Sequence, residues 1–312
     1  MRVIEVSEFG GPDVLTVRER PDPEPAAGQV RIDVELVEII HLDTQLRSGW
    51  GQAYFPMRPP WVPGTGVAGT IAAVGDGVPT DRVGEPVIAR TGNAGGYAER
   101  VAVPLHDVYA MPNGLDPAVA TAALHDGVLA LSQLAPVPLG RNTRVLVTGA
   151  AGAVGYWFVP LAKRAGATVL GAAGGPHKTA AVGELGADQV LDYAADGWTR
   201  DIAPVDVVLD GVGGDIGRAA AALLRPGGHL GAYGAASGSF GGAPDRDDVV
   251  VHGIDRDVVE ADRRELTEAA LHLLGTGVVR PRIGQRVPFA EAARAHEAIE
   301  RRAIVGKSVL VV

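Results

Sequence analysis

The segment that decides the fold reads Val145-Leu146-Val147-Thr148-Gly149-Ala150-Ala151-Gly152-Ala153-Val154-Gly155. Its first four residues are apolar or β-branched, as expected for a parallel strand that is covered on both faces. A glycine-rich turn follows, and residues 153–165 have the spacing of a helix. In such a unit Gly152 lets the backbone approach a pyrophosphate, and Gly155 lets the helix pack against the strand. Because the helix also offers free N–H groups at its start, the segment predicts a dinucleotide site.

The end of the second strand in this region discriminates between the two nicotinamide dinucleotides. NAD sites usually place an acidic side chain there, on the ribose hydroxyls. Residues 171–175 read Gly-Ala-Ala-Gly-Gly and contain no acid, and Lys178 follows shortly. A loop of small residues with a lysine can accept a 2′-phosphate, which a carboxylate would repel. The sequence therefore favours NADPH over NADH, and the alternative for Lys178 is an ordinary lysine on an exposed helix.

Strands and helices continue to alternate from the quoted segment toward the C-terminus. Strand-like runs lie at 168–173, 189–191, 205–209, 229–233 and 249–253, and helix-like runs lie at 178–185, 216–224 and 262–274. This order predicts a doubly wound parallel sheet of Rossmann type, whose ligand lies at the carboxyl ends of the strands. We therefore assign the cofactor contacts to Ala151, Gly152, Ala153, Val154, Gly155, Gly174, Lys178, Tyr193, Val212, Tyr233 and Gly234.

The first third of the chain has a different pattern. Short strand-like runs lie at 2–6, 15–18, 30–37, 69–74, 86–90 and 99–104, separated by clusters of Gly, Pro and Asp. Such closely spaced strands predict a compact, barrel-like β domain. A helix is predicted over 116–134. The C-terminal tail contains a short strand at 286–289, a helix at 291–301 and a strand at 308–312, and we expect it to return to the first domain.

Length and composition limit the class of protein. A chain of 312 residues exceeds the size at which single cores usually split, which indicates two domains. The formal net charge of −9 disfavours nucleic-acid binding. The chain has no cysteine, so disulfides and Cys-ligated zinc are excluded. Because no signal-peptide core or membrane-spanning stretch is found, we expect a cytoplasmic protein without membrane contact.

Taken together, these segments resemble the zinc-independent quinone oxidoreductase branch of the medium-chain dehydrogenase/reductase superfamily. The matching segments are Phe9-Gly10-Gly11-Pro12-Asp13-Val14-Leu15, Leu42-Asp43-Thr44-Gln45-Leu46-Arg47-Ser48-Gly49, Val62-Pro63-Gly64 with Ala68-Gly69, the glycine-rich turn, Leu185-Gly186-Ala187-Asp188, Asp210-Gly211-Val212-Gly213-Gly214 and Gly306-Lys307-Ser308-Val309-Leu310. The resemblance implies an α/β fold with a GroES-like β domain, residues 1–117 and 278–312, and a Rossmann domain, residues 118–277. It also implies NADPH as the cofactor, contact of the cofactor with Lys307, hydride transfer to a quinone or an α,β-unsaturated carbonyl compound, and a homodimer.

The sequence departs from the family pattern at three positions that the resemblance places around the nicotinamide. Ile40 replaces Asn, Leu129 replaces Thr, and Gly66 stands where many members carry an acid. Zinc-dependent relatives have a Gly-His-Glu segment where this chain has Gly64-Thr65-Gly66, so no metal site is expected. One interpretation is an apolar pocket that still supports hydride transfer by positioning and water exclusion. The other is a specialised substrate or a changed reaction.

Few polar side chains near this region are candidates for a proton donor. They are His41 beside Ile40, Tyr54 in the loop 49–63, and His125 at the start of the interdomain helix. Each has an ordinary structural alternative, and Asp43 is expected to shape its loop by local hydrogen bonds. The preferred function is NADPH-dependent reduction of a quinone or enone. The alternatives are a non-redox enzyme, such as a cyclase or isomerase, and a non-catalytic NADPH-binding protein.

Overall fold

The computed structural model describes residues 1–241, 246–254 and 256–312. The chain divides into two compact units. The first unit contains Met1–His125, Thr267–Gly275 and Ile283–Val312, and the second contains Asp126–Leu266 and Thr276–Arg282. In the described ranges, no helix is both long and apolar enough to cross a membrane.

The regular elements are numbered in chain order. The strands are β1 (Arg2–Val6), β2 (Leu15–Glu19), β3 (Gln29–Ile39), β4 (Gly66–Val74), β5 (Pro86–Arg90), β6 (Arg100–Pro104), β7 (Val108–Ala110), β8 (Arg144–Thr148), β9 (Thr168–Ala173), β10 (Gln189–Asp192), β11 (Val205–Asp210), β12 (Leu224–Ala232), β13 (Val250–His252), β14 (Ile283–Pro288) and β15 (Lys307–Val311). The α-helices are α1 (His41–Arg47), α2 (Pro117–Thr121), α3 (Val128–Leu134), α4 (Gly155–Arg164), α5 (Pro176–Glu184), α6 (Gly214–Ala221), α7 (Arg256–Ala261), α8 (Arg263–Gly275) and α9 (Ala292–Glu300).

The second unit is built on a parallel sheet with the strand order β10-β9-β8-β11-β12-β13. The order reverses at β8, so the chain winds outward in both directions from the centre of the sheet. Strand β8 is buried at Val145, Leu146 and Val147, which explains its continuous apolar run. This is the doubly wound arrangement that the sequence predicts, and it directs attention to the carboxyl ends of the strands beside β8.

The first unit contains a mixed sheet of order β14-β15-β3-β4-β5-β7, in which β6 also pairs with β3. Strand β3 alternates as predicted, with Val30, Ile32 and Val34 buried and Asp33 and Glu35 exposed. The C-terminal strand β15 pairs antiparallel with β3 and parallel with β14. The core of this unit gathers apolar residues from β3, β4, β5 and the C-terminal segment. The fold is therefore α/β, with a mixed sheet in the first unit and a Rossmann-type parallel sheet in the second.

Several local features differ from the prediction, among them the following two. The helix expected over 116–134 is broken into α2, a π-helical turn at Ala123–Gly127, and α3. A π turn accommodates one more residue per turn than an α-helix, so helical spacing in the sequence does not reveal it. Helix α1 was not predicted, because its seven residues are too few for a clear apolar period.

Candidate cofactor and active site

The turn between β8 and α4 has the shape that the glycine-rich segment predicts. Gly149 has a left-handed φ of 63°, and the Gly152 N–H donates to the Gly149 carbonyl oxygen at 2.8 Å. A Cβ on Gly155 would overlap the carbonyl oxygen of Ala150 and lie 2.6 Å from its carbonyl carbon. Glycine at 155 is therefore required for the close approach of α4 to the turn. Residues 152–154 stay partly exposed just before the N-terminus of α4, where helix N–H groups can receive an anion.

The carboxyl ends of β9 and β10 bring Gly174 and Tyr193 together. A Cβ on Gly174 would lie 2.8 Å from Cε2 of Tyr193, so the ring rests against the glycine. Asp192, which the sequence analysis did not single out, accepts hydrogen bonds from the Gly175 and Ala194 N–H groups, each at 2.9 Å. These bonds lower the pKa of Asp192, with the Gly175 N–H as the largest cause. The Asp192 carboxylate thus holds the loop that leads into α5.

Lys178 lies in the first turn of α5 and is partly buried. Its backbone N–H donates to the Gly175 carbonyl oxygen at 3.2 Å. Strand β9 ends at Ala173, and Gly174, Gly175 and Pro176 follow, so no acidic residue stands between the end of the strand and Lys178. The lysine is therefore placed directly after the small-residue loop that the sequence analysis identified.

A second carboxylate organises the ends of β8 and β11. Asp210 is buried, and its Oδ1 accepts hydrogen bonds from Thr148 Oγ1 at 2.6 Å, Val212 N–H at 3.0 Å and Gly213 N–H at 3.1 Å. The sequence predicts Val212 as a cofactor contact, whereas Asp210 and Thr148 stand in quoted segments without an assigned role. A polar residue that ends a buried strand just before a Gly-rich loop is the signal that could have found Asp210.

The end of β12 completes this edge of the sheet. The Tyr233 hydroxyl donates to the Thr148 carbonyl oxygen at 3.4 Å, and its ring packs on Phe158 with a centroid separation of 5.0 Å. Burial raises the pKa of Tyr233. A Cβ on Gly234 would overlap the carbonyl oxygen of Gly211. The structure therefore places the predicted residues Ala151–Gly155, Gly174, Tyr193, Val212, Tyr233 and Gly234 at the carboxyl ends of neighbouring parallel strands.

In the first unit, β3 runs directly into α1, whose first residue is His41. The Ile40 N–H donates to Asp43 Oδ2 at 2.9 Å, which caps the start of the helix. The Thr44 hydroxyl donates to the His41 carbonyl oxygen at 2.8 Å. The expectation that Asp43 shapes this segment by local hydrogen bonds is confirmed. His41 is partly buried at the N-terminus of α1.

A buried polar chain lies beneath α1 and was not found by sequence reasoning. Tyr97 donates to Asp43 Oδ2 at 3.4 Å, and its hydroxyl lies 2.8 Å from Nε2 of His296. Burial raises the pKa of Asp43 to about 7, although the hydrogen bond from Ile40 opposes the rise. Burial, together with the charge of Arg47, lowers the pKa of His296 to about 3, so this imidazole is neutral near physiological pH.

Arg47 extends this series of buried polar side chains to the end of α9. It is completely buried, donates from Nη1 to the Gly10 carbonyl oxygen at 2.6 Å, and forms an ion pair with Glu300. Burial lowers its pKa. A buried guanidinium is tolerated only where partners compensate its desolvation, so these contacts join α1, the Phe9–Gly11 turn and α9 into one structural element.

The remaining predicted residues lie on different elements of the first unit. Tyr54 is 65% exposed in the turn after α1, and His125 is partly buried in the π-helical turn. Lys307 begins β15, and its Nζ lies 2.8 Å from Oε2 of Glu38 on β3. The structure thus gives Lys307 a buried carboxylate partner within the first unit, which its sequence context did not suggest.

Two regions of the chain match models of known protein families. Residues 26–113 match the alcohol dehydrogenase GroES-like domain, and residues 185–310 match a family model described as zinc-binding dehydrogenase. The chain is 30% identical to human quinone oxidoreductase, with 100% of the chain and 98% of that protein covered. It is 30% identical to a 2-haloacrylate reductase from a Burkholderia species, with 98% and 97% covered. The structure of Escherichia coli quinone oxidoreductase complexed with NADPH superposes with a TM-score of 0.90 at 26% identity over 100% of both chains.

The residues of this chain do not fit the zinc site that the second model's description implies. The sequence contains no cysteine. Across 1–241, 246–254 and 256–312, no group of three or more His, Asp or Glu side chains is arranged to hold a metal ion. The segment Gly64-Thr65-Gly66 contains no His, Cys, Asp or Glu side chain. No step of the chemistry below is therefore assigned to zinc.

Proposed function

The chain belongs to the quinone oxidoreductase branch of the medium-chain dehydrogenase/reductase superfamily. We propose that it transfers a hydride from NADPH to a quinone or an α,β-unsaturated carbonyl compound. The observation that carries the proposal is the carboxyl edge of the parallel sheet, where the glycine-rich turn after β8 leads into the N-terminus of α4 and residues 152–154 stay partly exposed. The similar 2-haloacrylate reductase supports the wider substrate class, because a haloacrylate has a carbon–carbon double bond conjugated to a carboxyl group.

The geometry of this edge fits a dinucleotide. We propose that the turn residues Ala151, Gly152, Ala153, Val154 and Gly155 hold the pyrophosphate through N–H groups at the start of α4. Lys178 would pair with the 2′-phosphate, and Tyr193 would cover the adenosine end beside Gly174. Val212, Tyr233 and Gly234 would line the path toward the nicotinamide. We also propose that Lys307 contacts the cofactor. When bound, NADPH supplies the hydride, and these residues orient it and exclude water.

The reaction also needs a proton, because reduction of a quinone or enone consumes one hydride and one proton. We propose that His41 donates it. His41 is partly buried at the first position of α1, where the hydrogen bond between Ile40 and Asp43 fixes the local backbone. Tyr54 and His125 are the alternative donors, and the 65% exposure of Tyr54 in this structure makes it the weaker candidate.

Domain limits and assembly are part of the same proposal. We propose a GroES-like domain of residues 1–117 and 278–312 and a Rossmann domain of residues 118–277. We also propose a homodimer, because β13 forms one edge of the parallel sheet and exposes Val250 and Val251 at 46% and 43%. Size-exclusion chromatography with light scattering would test the dimer, and a monomeric mass would overturn it.

The test of the proposed function has two steps. Calorimetric titration with NADPH and NADH should give tighter binding of NADPH. Oxidation of NADPH should then follow the addition of 1,4-benzoquinone or simple enones, measured by the loss of the reduced nicotinamide absorbance. Product formation without a change in this absorbance would indicate a non-redox enzyme. Tight binding of NADPH without turnover of any substrate would indicate a sensor.

A further inference from the structure

A buried ion pair joins the last residues of β3 to the first residue of β15. Glu38 and Lys307 are each 1% exposed, and the carboxylate Oε2 lies 2.8 Å from the ammonium Nζ. The two strands pair antiparallel, with Val309 opposite Glu38 and Ser308 opposite Ile39. Charges as deeply buried as these persist in a folded protein only when each compensates the other, so the carboxylate is a specific requirement of this position.

The space beside this carboxylate explains the glycine at position 66. Val67 on β4 pairs with Val37 on β3, so Gly66 and Glu38 are the next residues in the same register. A Cβ on Gly66 would overlap Oε1 of Glu38 and lie 2.8 Å from its Cδ. The φ of Gly66 is not left-handed, so the backbone conformation does not require glycine. Glycine is required because the carboxyl group of Glu38 already fills the space for a side chain at 66.

We infer that Glu38 is a positioning residue that supplies, from β3, the buried carboxylate which a side chain at position 66 would otherwise supply from β4. The two positions are cross-strand neighbours, and a Cβ at 66 would fall on the carboxyl group that pairs with Lys307. At Gly66, where many family members carry an acid, this chain has therefore exchanged the strand that carries the carboxylate, from β4 to β3. The acidic group is retained, although the residue that carries it has changed.

The position of the pair connects it to the candidate proton donor. Strand β3 ends at Ile39 and α1 begins at His41, so Glu38 anchors the strand three residues before the imidazole. Asp43, which caps α1, responds to both members of the pair, since the charge of Glu38 raises its pKa and that of Lys307 lowers it. The pair therefore anchors the strand that leads into α1, and its two charges act in opposite directions on the carboxyl group of Asp43. This catalytic consequence depends on the proposed function, whereas the exchange of strands does not.

The test is a cycle of Glu38→Gly, Gly66→Glu and the double variant, with thermal unfolding as the first measurement. Loss of the buried pair in Glu38→Gly should lower Tm by about 10 °C, and Gly66→Glu alone should also lower it, because two carboxyl groups then compete for one space. The double variant should recover more than half of the loss. Leu124 Cδ1, 2.7 Å from a Cβ at 66, is the tip of a buried side chain that must repack in the variants that carry Glu at 66. Glu35→Gln, at an exposed position on the same strand, is the control and should leave Tm unchanged.

The second measurement is NADPH oxidation by the same proteins. Glu38→Gly should lower kcat about tenfold or more with a smaller change in KM, because misplacement of a reacting group acts on the chemical step. The double variant should restore kcat together with Tm. An unchanged Tm in Glu38→Gly, or a double variant no more stable than Glu38→Gly, would overturn the inference. If none of the quinones and enones supports NADPH oxidation by the wild-type chain, the proposed function fails. The Tm measurements on the variants still decide whether the carboxylate has moved between strands.

Glu38→Gln keeps the shape of the side chain and removes its charge, which separates electrostatics from packing. Without the Glu38 charge, the carboxyl of Asp43 should titrate at a lower pH than in the wild type. Carbon-13 NMR of labelled aspartate measures this directly. An unchanged Asp43 titration would contradict the electrostatic part of the inference, whether or not the enzyme is active.

Discussion

The ring of Tyr193 rests against Gly174, so closely that a Cβ on the glycine would lie 2.8 Å from Cε2 of the ring. Gly174→Ala should therefore displace the ring and weaken binding of both NADPH and NADH, because the adenosine end is common to both. We expect a loss of about tenfold, the effect of losing one good contact. Gly183→Ala is the control, since its Cβ would meet Val190 at an ordinary 3.8 Å. Equal affinities for the two variants would remove Tyr193 from the proposed site.

Lys178 is predicted to distinguish the two nicotinamide dinucleotides. Lys178→Ala should weaken NADPH binding by about tenfold to a hundredfold, the range for loss of a hydrogen bond to a charged group, and should change NADH binding little. Calorimetric titration of both nucleotides measures the difference. Lys163→Ala is the matched control, because Lys163 lies on α4 and pairs with Asp188. Equal losses for both nucleotides would mean that Lys178 does not recognise the 2′-phosphate.

Gly152 is predicted to be essential for the phosphate turn but not for folding. A Cβ at 152 would lie 3.1 Å from the Gly149 carbonyl oxygen. We expect the larger valine side chain to compete with the proposed pyrophosphate for the space beside this turn. Gly152→Val should reduce NADPH affinity at least a hundredfold with Tm changed by only a few degrees. Gly140→Val, where a Cβ meets nothing within 4 Å, should bind normally. Retained affinity in Gly152→Val would show that the turn is not the phosphate site.

Asp43 gives the protein a predicted pH dependence of stability. In the folded protein the pKa of Asp43 is about 7, above the ordinary value of 3.8. The stabilisation from keeping this carboxyl protonated is therefore fully present below pH 3.8. This stabilisation is lost progressively as the pH rises toward and through about 7. Asp43→Asn imitates the protonated carboxyl, so its Tm should rise relative to that of the wild type as the pH increases through this window. Asp81→Asn, at an exposed position, should give a curve parallel to the wild type. Parallel curves for Asp43→Asn would contradict the prediction.

Tyr97 is predicted to couple Asp43 to His296. Tyr97→Phe removes the hydroxyl that lies 2.8 Å from His296 Nε2, and should lower the free energy of unfolding by about 1–3 kcal/mol, the cost of an unsatisfied buried polar group. Adding His296→Leu removes the second polar group as well, so the double variant should lose less than the sum of the two single losses. Chemical denaturation measures all three. Strict additivity would mean that the two side chains do not interact.

The sequence predicted the parts of the site that depend on neighbours along the chain. The turn at Gly149–Gly155 was recognised because the strand, the turn and the helix are contiguous, and the absence of an acid after β9 was equally local. The partnership of Glu38 with Lys307 spans 269 residues and is created only by the pairing of β15 with β3. His296 and Tyr97 likewise meet across 199 residues. Sequence periodicity does not reveal contacts between residues so far apart. The family resemblance therefore associates Lys307 with the cofactor, but the sequence does not reveal its carboxylate partner.

Pairing of the last strand with β3 also has a consequence for biosynthesis. As the chain leaves the ribosome, residues 29–39 emerge long before their neighbour Lys307–Val311, since 269 residues separate Glu38 from Lys307. The groups of residues 36–39 that pair with β15 must therefore wait until Lys307–Val311 has been made, and during this time an apolar strand edge is open to other nascent chains. The second unit is made almost entirely from one continuous segment and can fold during this interval. A ribosome that stalls after the second unit but before residue 307 would thus release a chain with one formed unit and one aggregation-prone unit.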